Sequence, residues 1–108
     1  MALPKAKEIV SSNPVVVFSK TYCPFCVEVK ELFTKLGVTI KVIELNTEAD
    51  GSEIQSALAE WTGQRTVPNV FIGGNHIGGC DATTNLHNQG ELVPLLTKAG
   101  TTVASASG

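Results

Sequence analysis

A chain of 108 residues, 43% hydrophobic and 17% charged, is large enough to bury one core without metal or disulfide staples and too apolar for an intrinsically disordered protein. Its net charge of −2 leaves no basic excess to neutralise phosphates, which argues against nucleic acid as a partner. No stretch approaches the roughly 18 apolar residues of a membrane span, and three cysteines are too few, and odd in number, for the disulfide framework of a small secreted domain.

Charges recur every few residues through Met1 to Val10, where a secretory signal needs a continuous apolar run. One domain over residues 1–108 is expected, cytoplasmic and without a membrane partner, with a flexible tail from about Thr101. Leu3, Ala6, Ile9 and Val10 share one helical face, and Asn13-Pro14 ends that helix because the residue before a proline is pushed out of the helical region. Val15-Val16-Val17-Phe18 is a β-branched and aromatic run, the pattern of a strand covered on both faces.

Beyond Pro24, Val29, Leu32, Phe33 and Leu36 recur at helical spacing up to Gly37, where a helix end favours glycine. Ile40 to Leu45 reads as a second strand, and Ser52 with Gln55 forms a capping-box pair ahead of Ile54, Ala57, Leu58 and Trp61. Val70-Phe71-Ile72 and His76-Ile77 flank Gly73-Gly74-Asn75, which predicts a hairpin. Cys80 or Asp81 is expected to cap a short helix through His87, and Gly90 separates it from a last helix carrying Leu92, Leu95 and Leu96. Strands alternating with helices, then a hairpin, predict an α/β fold: a βαβ unit joined to a ββα unit, with a mixed sheet between helix layers.

Cys23 and Cys26 enclose Pro24-Phe25. Proline suits the first helical position, where its missing N–H costs nothing, so Cys23 is predicted at the N-cap. An N-cap side chain accepts from the N–H groups two or three residues on, here Phe25 and Cys26, at the positive end of the helix dipole; both effects favour thiolate. The dipole alone contributes about 0.3–2 kcal/mol, so a strongly acidic thiol needs further hydrogen bonds or a cation, for which Lys20 is nearest in sequence. Cys26, on the same turn and less exposed, is placed to attack a mixed disulfide on Cys23. The competing zinc reading normally shows a second cysteine pair, and Cys80, His76 and His87 fall on a hairpin and a helix rather than in ligand spacing, so no metal is expected.

Thr66-Val67-Pro68 leads into the hairpin. A cis bond before Pro68 would turn Val67 so that its N–H and C=O face an extended ligand; a trans, strand-initiating proline is the plainer alternative, and the residues leave both open. Gly78-Gly79-Cys80-Asp81 opens a helix, where backbone N–H groups suit a carboxylate and Asp81 an ammonium, or where the segment is simply a turn with an Asp cap.

Together KTYCPFC (Lys20 to Cys26), QRTVP (Gln64 to Pro68) and GGCD (Gly78 to Asp81) resemble a dithiol glutaredoxin of the CPxC type, most of all the plant C-type class, in order from about Ile9 to Ala99. The resemblance implies a thioredoxin-like fold, a four-stranded mixed sheet flanked by about five helices, and a glutathione site. In that site Lys20 and Gln64 would hold the glycine carboxylate, Val67 would pair with the cysteine backbone, Pro68 would be cis, Cys80 and Asp81 would bind the γ-glutamyl end, Phe25 would pack beside the ligand, and Thr66 and Arg65 would flank it. Phe25 stands where the family often has Tyr, and Ala82 where a second Asp is frequent; neither is a catalytic group. Thioredoxins typically carry Trp-Cys-Gly-Pro-Cys, which this chain lacks.

The implied activity is glutathione-dependent reduction of protein-glutathione mixed disulfides and protein disulfides, with Cys23 as nucleophile and Cys26 as resolving thiol. It would serve electron transport and redox homeostasis, with glutathione as co-substrate and no tightly bound cofactor. Partners would be glutathionylated or disulfide-containing proteins and, through glutathione, glutathione reductase, with the chain acting as a monomer. The rival is an iron-sulfur carrier in which two chains share a cluster through Cys23 and bound glutathione; Pro24 argues against it, because family members that bind clusters often have glycine or serine there.

Overall fold

The computed structural model describes residues 2–101; apart from Thr101, the expected tail lies outside them. Among the described residues the elements are α1 (Ala2–Ser12), β1 (Val15–Ser19), α2 (Pro24–Lys35), β2 (Lys41–Glu44), α3 (Gly51–Thr62), β3 (Asn69–Ile72), β4 (Asn75–Gly78), α4 (Cys80–Asn88) and α5 (Leu92–Lys98). The strands form one mixed sheet in the order β2-β1-β3-β4, with β1 parallel to β2 and antiparallel to β3, and β4 antiparallel to β3. The α/β class, the four strands and the five helices all agree with the sequence-based expectation.

Because side chains alternate across a strand, the two central strands feed two cores. Val15, Val17, Val70 and Ile72 meet Val29 and Phe33 of α2 and Leu92 and Leu96 of α5. On the other face Val16, Phe18 and Phe71 meet Ala6 and Val10 of α1 and Ile54 and Leu58 of α3. Trp61 stacks on Phe71 at a centroid distance of 5.0 Å, which closes that layer at its edge. A sheet between two helix layers leaves the carboxyl end of β1 open to the N-terminus of α2, and that junction carries the site.

Two predicted caps are corrected. Helix α3 begins at Gly51, one residue before Ser52, and its N-cap Asp50 makes no side-chain cap bond. Gln55 does not close a capping box; its Nε2 donates to the Arg65 carbonyl at 2.8 Å. The start of α3 is instead fixed by a close approach to the end of β2, since a Cβ on Gly51 would lie 1.7 Å from the Leu45 carbonyl oxygen. Helix α4 likewise starts after Gly79 with no side-chain cap, so neither Cys80 nor Asp81 serves as one. The hairpin is tighter than predicted: Asn75 belongs to β4 and only Gly73 and Gly74 turn, at φ 59° and 81°, as a two-residue connection requires.

Replacing a helical glycine by alanine ordinarily stabilises by about 0.5–1 kcal/mol. Here the methyl would strike backbone, so Gly51→Ala is expected to destabilise by about 1–3 kcal/mol, read as a lower urea midpoint at unchanged slope.

Candidate active site

Strand β1 ends at Ser19 in the middle of the sheet, and a short turn of Lys20, Thr21 and Tyr22 delivers the chain to α2. The turn is clamped from β2's side: Thr21 N–H donates to Asn46 Oδ1 at 3.0 Å, and Asn46 Nδ2 donates to Thr21 Oγ1 at 2.7 Å. Cys23 N–H closes it on the Lys20 carbonyl at 3.1 Å. Cys23 then stands at the N-cap of α2 with extended backbone, φ −89° and ψ 115°, ahead of Pro24. Of the two predicted donors only Cys26 N–H reaches Cys23 Sγ, at 3.3 Å; Phe25 N–H does not. A single sulfur at an N-cap meets the third amide of the helix, as the serine of a capping box does.

Cys26 is fully buried, 0% exposed, directly behind Cys23. Burial pushes its thiol up to about 11, with the hydrogen bond to Cys23 adding to the rise and the Lys20 backbone and Ser19 hydroxyl opposing it. The two thiols are thus differentiated by environment: one half-exposed at a helix start, the other sealed beneath it.

On the opposite side of Cys23 lies an open groove of about 570 Å³ lined by Phe25, Gln64, Thr66, Val67, Pro68, Cys80 and Asp81, with Gly78, Gly79 and Ala82 completing it. The fold therefore brings seven of the predicted ligand-contacting residues to one concavity. The Val67–Pro68 peptide is cis, and the Val67 carbonyl lies 3.8 Å from Cys23 Sγ. Phe25 forms the outer rim at 58% exposure. Lys20 is not part of the lining; it sits half-buried on the turn before Cys23.

The Gln64 side chain lines the groove and braces its loop: the amide nitrogen donates to the Thr66 and Pro68 carbonyls, both at 3.0 Å. At the far end Asp81 is free of any capping duty. Cys80 Sγ donates to Glu28 Oε2 at 3.5 Å and touches Thr84 Oγ1 at 3.9 Å. Burial raises this thiol above its ordinary value; Thr84 opposes the rise, while Glu28 and Asp81 add to it. Sequence reasoning missed Glu28 and Asn46, whose partners are 52 and 25 residues away.

A helix-capping cysteine with a buried partner on the same turn, beside an open groove in a thioredoxin-like fold, defines a thiol-disulfide oxidoreductase. The glutaredoxin family model matches residues 15–77, more than half of the chain. Glutaredoxin-C2 of Arabidopsis thaliana is 76% identical over 100 residues, covering 93% of this chain and 90% of that one. Glutaredoxin-C6 of Oryza sativa subsp. japonica is 72% identical over 106 residues, covering 98% and 95%. The crystal structure of a buckwheat glutaredoxin-glutathione complex superposes with a TM-score of 0.91 at 62% identity, over 93% of this chain and 91% of that one. A wheat glutaredoxin structure gives 0.90 at 75% identity, over 93% and 94%. The chain belongs to the glutaredoxin family, the glutathione-dependent thiol-disulfide oxidoreductases.

A thiol raised on folding stabilises the fold fully below its ordinary value of 9.0 and loses that contribution as pH rises through about 11. Unfolding free energy of the reduced protein, measured in urea at successive pH values, is expected to fall across this window. The fall should be shallower in Cys26→Ala.

Proposed function

We propose that Cys23 is the nucleophile and Cys26 the resolving thiol in the reduction of protein-glutathione mixed disulfides and protein disulfides. The observation that carries this reading is the position of Cys23 Sγ: it accepts from an α2 amide at 3.3 Å on one side and meets the Val67 carbonyl at 3.8 Å on the groove side. Cys23 attacks the glutathione sulfur of a mixed disulfide; the substrate thiol departs, and glutathione remains on Cys23 until a second glutathione releases it. With dithiol substrates Cys23 binds the target sulfur, and Cys26 displaces it to give a Cys23–Cys26 disulfide that glutathione reduces.

Glutathione is an extended peptide with two carboxylates and an ammonium, and the groove offers a partner for each group. Val67 N–H and C=O pair with its cysteine backbone as an added strand would. The first amides of α4, at Cys80 and Asp81, meet the γ-glutamyl carboxylate, and the Asp81 carboxylate meets the ammonium. Lys20 supplies the cation for the glycine carboxylate, while Gln64 shapes the site by holding the Thr66 and Pro68 carbonyls inward. Phe25 and Thr66 cover the ligand from the two rims. The chain works as a monomer in the reducing cytoplasm, where its three free cysteines stay reduced, and takes electrons from glutathione that glutathione reductase regenerates.

Glutathione-dependent reduction of a small mixed disulfide tests these roles. Cys23→Ser is expected to abolish turnover; Cys26→Ser should keep it and lose only reduction of dithiol substrates. Lys20→Ala and Asp81→Ala should each raise the glutathione KM by about tenfold with unchanged thermal midpoints. An active Cys23→Ser protein would overturn the assignment.

A further inference from the structure

A protein-glutathione mixed disulfide has two halves, and the groove beside Cys23 takes one of them. With glutathione lying along Val67, Cys80 and Asp81, the protein half has to rest outside the groove while its sulfur stays within reach of Cys23. The surface that borders Cys23 outside the groove is apolar. Among the described residues the exposed large hydrophobics are Tyr22, Phe25 and Val27, at 71%, 58% and 40% exposure, and all three lie within four residues of Cys23. Single hydrophobics scattered over a surface are ordinary, whereas a contiguous group of them marks an interaction site.

The three residues divide about the sulfur. Phe25 belongs to the rim of the groove, but Tyr22 and Val27 do not line it. Counted from the N-cap Cys23, Tyr22 is N′ and Val27 is N4 of α2, the two positions whose side chains come together at a helix start. Val27 N–H donates to the Cys23 carbonyl at 3.1 Å, which places Val27 one turn along the helix from Cys23. Phe25 stands about 200° round the helix axis from Val27, on the groove side. A hydrophobic pair at N′ and N4 ordinarily packs to set the angle at which the chain enters a helix. Here hydrogen bonds fix the entry, with Thr21 tied to Asn46 on one side of Tyr22 and Cys23 N–H tied to the Lys20 carbonyl on the other. The tyrosine ring is thus held out to solvent on a fixed turn, and an aromatic side chain with two torsions loses little freedom when a partner covers it.

We propose that Tyr22 and Val27 form a specificity site for the protein half of the mixed disulfide, receiving an aliphatic or aromatic side chain next to the target cysteine. Glutathione occupies the groove, the flanking residue of the target covers Tyr22 and Val27, and the disulfide between them lies over Cys23. Cys23 Sγ bonds the glutathione sulfur as the bond from glutathione to the target breaks, its electron pair leaving on the target thiolate. Holding both halves keeps the scissile bond against the attacking sulfur. The inference rests on the role given to Cys23, and it predicts a preference that small disulfides, too short to reach the pair, do not share.

The test compares kcat/KM for two glutathionylated peptides of equal length and charge, one with leucine and one with serine flanking the cysteine. The mixed disulfide of glutathione and 2-mercaptoethanol serves as the small substrate. Wild type is expected to favour the leucine peptide by about tenfold. Tyr22→Ser and Val27→Ser should each remove most of that preference, with turnover of the small substrate and the thermal midpoint unchanged, and Tyr22→Phe should keep it. The proposal fails if wild type shows no preference, or if Tyr22→Ser leaves the preference intact. It fails equally if Tyr22→Ser slows all three substrates alike, since the residue would then support Cys23 rather than read the target. Tyr22 precedes the helix, so Tyr22→Ser decides the matter if Val27→Ser does not fold. Full activity of Cys23→Ser on the small substrate would instead remove the role of Cys23 on which the inference rests.

Discussion

The site hangs on one junction, where the last residue of a fully buried central strand hands the chain to a helix whose first amides need an acceptor. Helix N-termini leave N–H groups unsatisfied, and here one of them is met by the Cys23 sulfur at 3.3 Å. Pro24 at the first helical position carries no N–H to compete and has its backbone angle already set. Once the cap is fixed, helical geometry puts Cys26 behind it, on the buried face with Val29 and Phe33. The same junction faces the β3 loop, so Val67 and the start of α4 arrive beside the sulfur through sheet pairing rather than through any local preference.

How much of this was legible follows the range of the forces. The N-cap cysteine, the strand β1 run and the double-glycine turn obey rules that act within a few residues, and the sequence displays them directly. The Ser52–Gln55 pair obeyed the same kind of local rule and yet forms no box, because the Leu45 carbonyl reaches Gly51 from the end of β2. Gln64 was readable as part of the site but not as a brace, since its partners, the Thr66 and Pro68 carbonyls, converge on it only in the folded loop. Asn46 and Glu44 carry no local signature at all. Each is brought to the junction by the register of β1 on β2, pairing residues 25 apart.

The three cysteines show how one side chain type is made to do different work by burial and neighbours. Cys23 is placed where a helix amide can meet its sulfur and a substrate can reach it. Cys80 lies within the groove but donates to Glu28, and burial together with two carboxylates favours its protonated form, so the nearest competing thiol is a poor nucleophile. Burial also favours the protonated form of Cys26, with its hydrogen bond to Cys23 adding to the rise, and this protects it until a mixed disulfide forms on Cys23.

Few polar groups share the layer between α2 and the sheet. Ser19, the last residue of β1, is fully buried, and the Lys30–Glu44 pair is largely buried between α2 and β2. A partly buried ion pair is weak evidence for stability, because desolvating two charges offsets most of their attraction and apolar residues of similar size often serve as well. The exposed Lys5–Asp50 pair, by contrast, ties α1 to the start of α3 where water screens it. Inside the fold the Lys30–Glu44 pair, 2.8 Å apart and largely buried, ties α2 to β2, so the helix that carries both active-site cysteines is held against the strand beside β1.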